Sequence, residues 1–167
     1  MDLQIRPYRK CDQHKVGQLF YDTVHSVNRR DYTQEQVDVW APELVKEGLI
    51  PSLEREYAYV AEVRGQIVGF GDITRGGHLE RLYIHKDFQR HGVASKILDA
   101  LESKARELHL SEITTDASLT AKPFFLAKGY LVKEQKIKVR KDVPFVIFKM
   151  YKCLSEDKGK WTIQPLK

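Results

Sequence analysis

Cysteine is scarce in this sequence. Cys11 and Cys153 lie far apart, and neither has a companion at a metal-binding spacing; this excludes a disulfide framework and a zinc knuckle and predicts two reduced thiols. Cys11 with His14 supplies too few ligands for a tetrahedral ion, so no metal is expected. Long apolar runs are missing too. Nothing approaches the roughly 20 residues that span a bilayer, and "MDLQIRPYRK" lacks the apolar centre of a secretory signal, which predicts a cytoplasmic protein with no membrane partner. The chain has neither a GxGxxG run nor a phosphate loop ending in Lys-Ser or Lys-Thr, which argues against a dinucleotide enzyme, a kinase or an NTPase. It also has no internal repeat or low-complexity tract.

What remains is an ordinary globule. The 167 residues, 42% apolar and 31% charged, suffice for one domain with its own core over residues 1–154. The polar tail 155–167 is expected to be loose, except that Trp161 and Ile163 suggest docking. A net charge of +5 and a pI near 9.1 suit nucleic acid, an acidic protein or a polyanionic small ligand alike. The densest basic cluster, "KEQKIKVRK" (133–141), alternates with apolar residues as a solvated, lysine-guarded strand edge does, so no nucleic-acid partner is expected.

The periodicity switches several times along the chain. "LQIRPY" reads as a strand, followed by a helix that Asp12 could cap, with Val16, Leu19, Phe20, Val24 and Val27 as its apolar stripe. Thr33 and Gln36 form a capping-box pattern for a second, short helix ending before Pro42. Three β-rich runs, turning at Arg64–Gly65 and Gly76–Gly77, predict an antiparallel meander. From Gly92 the spacing of Ala94, Ile97, Leu98, Leu101, Ala105 and Leu108 is helical. A strand over 111–117, a short helix ended by Gly129 and a closing hairpin complete an α/β (α+β) pattern.

The stretch "YIHKDFQRHGVASKIL" carries the first chemical signal. A strand ending at Ile84 turns into a helix near Gly92, where unpaired N–H groups and the positive end of the helix dipole favour phosphate. Gly92 lets an anion approach the backbone, Ala94 leaves the first turn unobstructed, and Gln89, Arg90 and His91 flank the turn with donors. Spacing alone leaves an ordinary strand-to-helix connection equally open.

The same stretch resembles the coenzyme-binding segment of the GNAT superfamily of acetyl-CoA-dependent N-acetyltransferases, Q/R-x-x-G-x-G/A, with Gln89, Gly92 and Ala94 in its named positions. "SLTAKPFFLAKGY" resembles that family's N-x-x-A-x-x-x-Y-x-x-x-G-F, with Ser118, Ala121, Gly129 and Tyr130 in register. The likeness covers roughly residues 3–152, and the stretch from Phe20 to Glu43 is similar to a bacterial branch of uncharacterised members. It implies a mixed, mostly antiparallel sheet of six to seven strands flanked by about four helices. Acetyl-CoA is implied as donor, its pyrophosphate on the amides of Gln89, Arg90, His91, Gly92, Val93, Ala94 and Ser95 and its pantetheine along Leu82, Tyr83 and Ile84. The resemblance also implies direct attack by a primary amine, of a small molecule or a peptide, through a tetrahedral intermediate, with a bulge near Leu82 aiming one N–H at the thioester oxygen.

An alkyl amine is mostly protonated at neutral pH, so a base is needed. Glu80 falls on the Leu82 face by strand alternation and sits where the family often keeps a carboxylate; the alternative is a surface carboxylate paired with Arg55 or Arg81. His78 falls on that face too, as a second base or a polar hairpin residue. Phe125 departs from the family, which commonly has a tyrosine there to protonate the leaving thiolate. Tyr83 and Ser118 are other donors, and the general acid stays unassigned. Ser118, where Asn is common, keeps a hydrogen-bonding group near the pantetheine. Tyr21, His25, Tyr32 and Trp40 come from the segment covering the acceptor side, as pocket walls or as core. Homodimers are common among similar folds, and the sequence does not decide between one copy and two. A non-catalytic acyl-CoA-binding module is the alternative function.

Overall fold

The computed structural model describes residues 1–48, 50, 53–54 and 56–154; Arg55 and the tail with Trp161 and Ile163 lie outside the described residues. In chain order the elements are β1 (Leu3–Pro7), α1 (Gln13–Ser26), α2 (Gln34–Trp40), β2 (Tyr57–Val63), β3 (Gln66–Ile73), β4 (His78–Ile84), α3 (Val93–Glu107), β5 (Glu112–Ala117), α4 (Lys122–Ala127), β6 (Leu131–Arg140) and β7 (Val143–Cys153). The strands form one sheet in the order β1-β2-β3-β4-β5-β7-β6, antiparallel except between β4 and β5. Among the described residues, seven strands and four α-helices give the expected mixed fold. Among the described residues no helix is long and apolar enough to cross a membrane.

Each face of the sheet buries its own cluster. Val68, Leu79 and Ile113 pack under Ile97 and Leu101 of α3, while Phe70, Phe145 and Ile147 pack under Val16, Leu19 and Val37 of α1 and α2. Helix α2 starts as expected: the Gln36 N–H donates to Thr33 Oγ1 at 3.2 Å, and the Thr33 N–H donates to Gln36 Oε1 at 2.9 Å. Helix α1 does not. The Asp12 carboxylate instead accepts from the Arg9 N–H at 2.8 Å and pairs with Arg6 at 2.8 Å, so it fastens β1 to the turn before α1 rather than capping the helix. Gly17 brings α1 against the turn Glu43–Glu47, since a Cβ there would stand 2.0 Å from the Val45 carbonyl oxygen.

Two features of β4 open the sheet. Its parallel pairing with β5 covers only His78 with Thr114 and Leu79 with Thr115, so the strands part beyond Leu79. Its pairing with β3 changes register there, with Arg81 opposite Asp72 and Leu79 opposite Ile73, leaving Glu80 as the extra residue of a bulge.

Candidate active site

The gap between β4 and β5 opens into a cavity of about 880 Å³. His85 N–H donates to the Val68 carbonyl at 2.8 Å, and by two-residue alternation the main-chain groups of Tyr83 also face β3. Those of Leu82 and Ile84 face the gap. The Ile84 carbonyl is taken, accepting from Gln89 Nε2 at 2.6 Å and from Thr23 Oγ1 at 3.2 Å. Leu82 N–H, Leu82 C=O and Ile84 N–H are therefore left to an extended ligand. Tyr83, expected beside them as a main-chain partner, contributes only its side chain, because its amide and carbonyl belong to the β3 ladder.

The start of α3 lies at the mouth. Gly92 is its N-cap in the left-handed region (φ 78°), no side chain caps the helix, and Lys96 N–H makes the first helical bond to the Gly92 carbonyl. The amides of Val93, Ala94 and Ser95 are thus the unpaired donors of the first turn. Nothing lies within 4 Å of where a Gly92 Cβ would be, so an anion can reach those amides. Arg90, itself at φ 59°, lines the cavity; His91 does not. The Gln89 side chain holds the loop to the strand end and is not free for phosphate.

The bulge also re-aims Glu80. Leu79 and Leu82 both pack in the cluster beneath α3, so the two residues between them turn to the other face, the one shared by Tyr83. Strand alternation had set Glu80 with Leu82; the extra residue reverses this and directs the exposed carboxylate to the α1–α2 side of the cavity. His78 is on that face as well, its Nδ1 2.8 Å from Thr114 Oγ1. Arg81 pairs with the buried Asp72, whose carboxyl is pushed up to about 7 by burial, against the lowering effect of Arg81 and with a smaller push from Glu80.

The aromatic wall is partly as expected. Tyr32 and Trp40 line the cavity and meet edge to face at 5.1 Å, with Phe145 beside them. Trp40 Nε1 donates to Tyr83 Oη at 3.0 Å, and burial pushes the Tyr83 hydroxyl up to about 12. Tyr32 Oη accepts from the Leu119 N–H at 2.8 Å, fixing the loop ahead of α4. Tyr21 and His25 lie elsewhere: they stack on each other at 4.0 Å, Tyr21 donates to Glu43, and His25 Nε2 sits 2.8 Å from the Ala41 carbonyl. Both brace α1 against the following turns and do not line the cavity. Ser118 lines it, though its Oγ already accepts from the Ala121 N–H at 3.0 Å. Phe125 closes the back, buried against Phe124 and Tyr130. Phe145, at the end of the loop 141–145 that the sequence sets on the opposite side of the acceptor pocket, lines the cavity, whereas Arg30, Asp116, Lys138 and Arg140, which line it too, were missed.

A parted strand pair with a helix start at its mouth offers unpaired main-chain groups of the kind that suit an extended, phosphate-bearing ligand. Residues 28–152 match the acetyltransferase (GNAT) domain family. The chain is 33% identical over 141 residues to an uncharacterized N-acetyltransferase of Escherichia coli strain K12, YafP, covering 83% of this chain and 89% of that one. A GCN5-related N-acetyltransferase structure from Rhodopseudomonas palustris superposes with a TM-score of 0.85 at 28% identity, over 90% of this chain and 95% of that one. The fold also matches the PaiA N-acetyltransferase of Thermoplasma acidophilum in complex with coenzyme A, with a TM-score of 0.70 at 17% identity, over 92% and 99% of the two chains. The protein belongs to the GNAT acetyltransferase family.

Proposed function

We propose that the protein transfers the acetyl group of acetyl-CoA to a primary amine, by direct attack of the amine on the thioester. The observation that carries this is the row of unpaired main-chain groups, Leu82 and Ile84 in the gap and the amides of Val93, Ala94 and Ser95 at its mouth. Such groups suit the amides of a pantetheine arm and the oxygens of a pyrophosphate. The solved relative holding coenzyme A supports the same ligand class here. Bound acetyl-CoA supplies the activated acetyl group; the chain supplies position and proton handling.

Leu82 N–H donates to the carbonyl oxygen where negative charge grows during attack. Near pH 7 an amine of pKa ~10 is neutral in about one molecule in a thousand, so proton removal is a large part of the barrier. Glu80, exposed on the acceptor face, takes that proton directly or through one water. His78 is the second candidate, with only Nε2 available because Nδ1 is engaged by Thr114. Phe125 has no proton to give. A thiol with acidity like that of cysteine, about 8.5, leaves as thiolate and is protonated from water or by the acid formed at Glu80.

Glu80→Gln tests the assignment in a free-thiol assay over a panel of amines. Turnover falls more than about tenfold while acetyl-CoA affinity is unchanged; an unaltered rate removes Glu80 from the mechanism. Phe125 is the one observation favouring a non-catalytic acyl-CoA-binding module, and acetyl-CoA binding with no turnover of any amine would select it.

A further inference from the structure

Arg90 faces the coenzyme mouth, and a second set of cations lies across the sheet from it. In the closing hairpin Lys136 is opposite Ile147, Lys138 opposite Phe145 and Arg140 opposite Val143. Directly opposed residues share a face, and Ile147, Phe145 and Val143 belong to the cluster under α1 and α2. The three basic side chains therefore project on the acceptor face, away from the α3 start that suits pyrophosphate. Lys138 and Arg140 line the main cavity. Lys136 and Lys149 line a second cavity of about 480 Å³ over β5, β7 and β6.

His78, Thr115 and Asp116 border both cavities, so the two adjoin along β5 and the start of β4. None of the four cations has an ion pair or side-chain hydrogen bond among the described residues. Asp116 on β5 and Glu134 on β6 are both directly opposite Lys149, so acidic neighbours flank that lysine, whereas Lys136, Lys138 and Arg140 are opposite apolar residues; Glu80 stands at the acetyl end. Cations left unpaired beside a substrate site attract and orient anions.

Geometry sets the length of the anion carrier. β4 and β6 are three strands apart in the sheet, at least about 14 Å and more where β4 and β5 part. Even with a lysine stem turned back toward β4, roughly half of that separation remains between an amine at Glu80 and an anion at the basic row. In a free α-amino acid the two groups share one carbon, which is too short. An extended peptide rises about 3.3 Å per residue and spans the gap in two to three residues.

We infer, on the basis of the acetyl-transfer reading, that the acceptor is an acidic peptide. Its free amine reaches Glu80, and carboxylates a few residues on lie along Lys138, Arg140 and Lys136. The test compares three hexapeptides with free amino termini and glutamate, glutamine or lysine at the third to fifth positions, alongside small primary amines. The glutamate peptide shows the highest kcat/KM, about tenfold or more above the glutamine peptide at low salt, and the advantage shrinks as ionic strength rises.

A Lys138→Ala/Arg140→Ala variant brings the glutamate peptide down to parity with the glutamine peptide. Acetyl-CoA titration of the variant controls for folding. Equal rates for the three peptides, or an advantage that survives in the variant, overturn the inference. Acetylation of small amines but of no peptide overturns it while leaving acetyl transfer standing. No acetylation of any amine, together with no binding of acetyl-CoA, overturns both.

Discussion

Asp72 offers a prediction whose size follows from its surroundings. It is fully buried on β3 opposite Arg81, with Oδ2 bonded to that guanidinium and Oδ1 without a partner among the described residues. Burial raises its pKa from 3.8 to about 7, more than Arg81 lowers it. A folded-state value above the unfolded one means that the folded chain keeps a proton the unfolded chain has released. The stabilisation is complete below about pH 4 and is lost as pH rises through about 7.

Between pH 5 and pH 8 those two values imply a loss of about 2–3 kcal/mol. Asp72→Asn keeps an oxygen for Arg81 and removes the ionisation. Urea unfolding of both proteins at pH 5 and pH 8 is the assay. The stability difference, variant minus wild type, should move about 2–3 kcal/mol in the variant's favour at pH 8, other titrating groups cancelling. A difference that stays within about 0.5 kcal/mol at the two pH values would refute the reasoning.

Gly92→Ala places a side chain in the left-handed region, which costs about 1–2 kcal/mol of stability by urea unfolding. No neighbour lies within 4 Å of the added Cβ, so a loss of acetyl-CoA affinity in calorimetry, about tenfold, comes from obstructed approach to the amides; unchanged affinity would move the phosphates elsewhere. Gly17→Ala drives a Cβ to 2.0 Å from the Val45 carbonyl, and overpacking of about 2–3 kcal/mol lowers Tm by roughly 5 °C or more. An unshifted melt would mean that α1 does not press on that turn.

Local rules reached much of the fold. The Thr33–Gln36 box, the glycine turns and the 3.6-residue stripe of α3 depend on neighbours in sequence, and each appears where its residues stand. The failures are non-local. Asp12 looked like a cap until Arg6, on the adjoining strand, provided a cation for its carboxylate. Tyr21 and His25, four apart on α1, satisfy each other and the next turn rather than a substrate.

Glu80 was placed by alternation, and its own place as the extra residue between the Asp72–Arg81 and Ile73–Leu79 pairs reversed its face; the resemblance implied a bulge near Leu82, but no residue in "GGHLERLYI" announces its position. Lys138 and Arg140 read as the guard of a strand edge, and β6 is an edge strand. The pairing of Lys138 with Phe145 and of Arg140 with Val143 is what turns them toward the cavity. The open helix start was legible because it rests on main-chain amides, and a glycine in the left-handed region marks it.

The most direct measurement is a calorimetric titration of the intact protein with acetyl-CoA, paired with its thermal melt over rising ligand. One site per chain should appear, with a Tm that climbs with concentration, if the β4–β5 gap and the α3 amides hold the donor. Flat heats and an unmoved Tm at about 1 mM acetyl-CoA would contradict it.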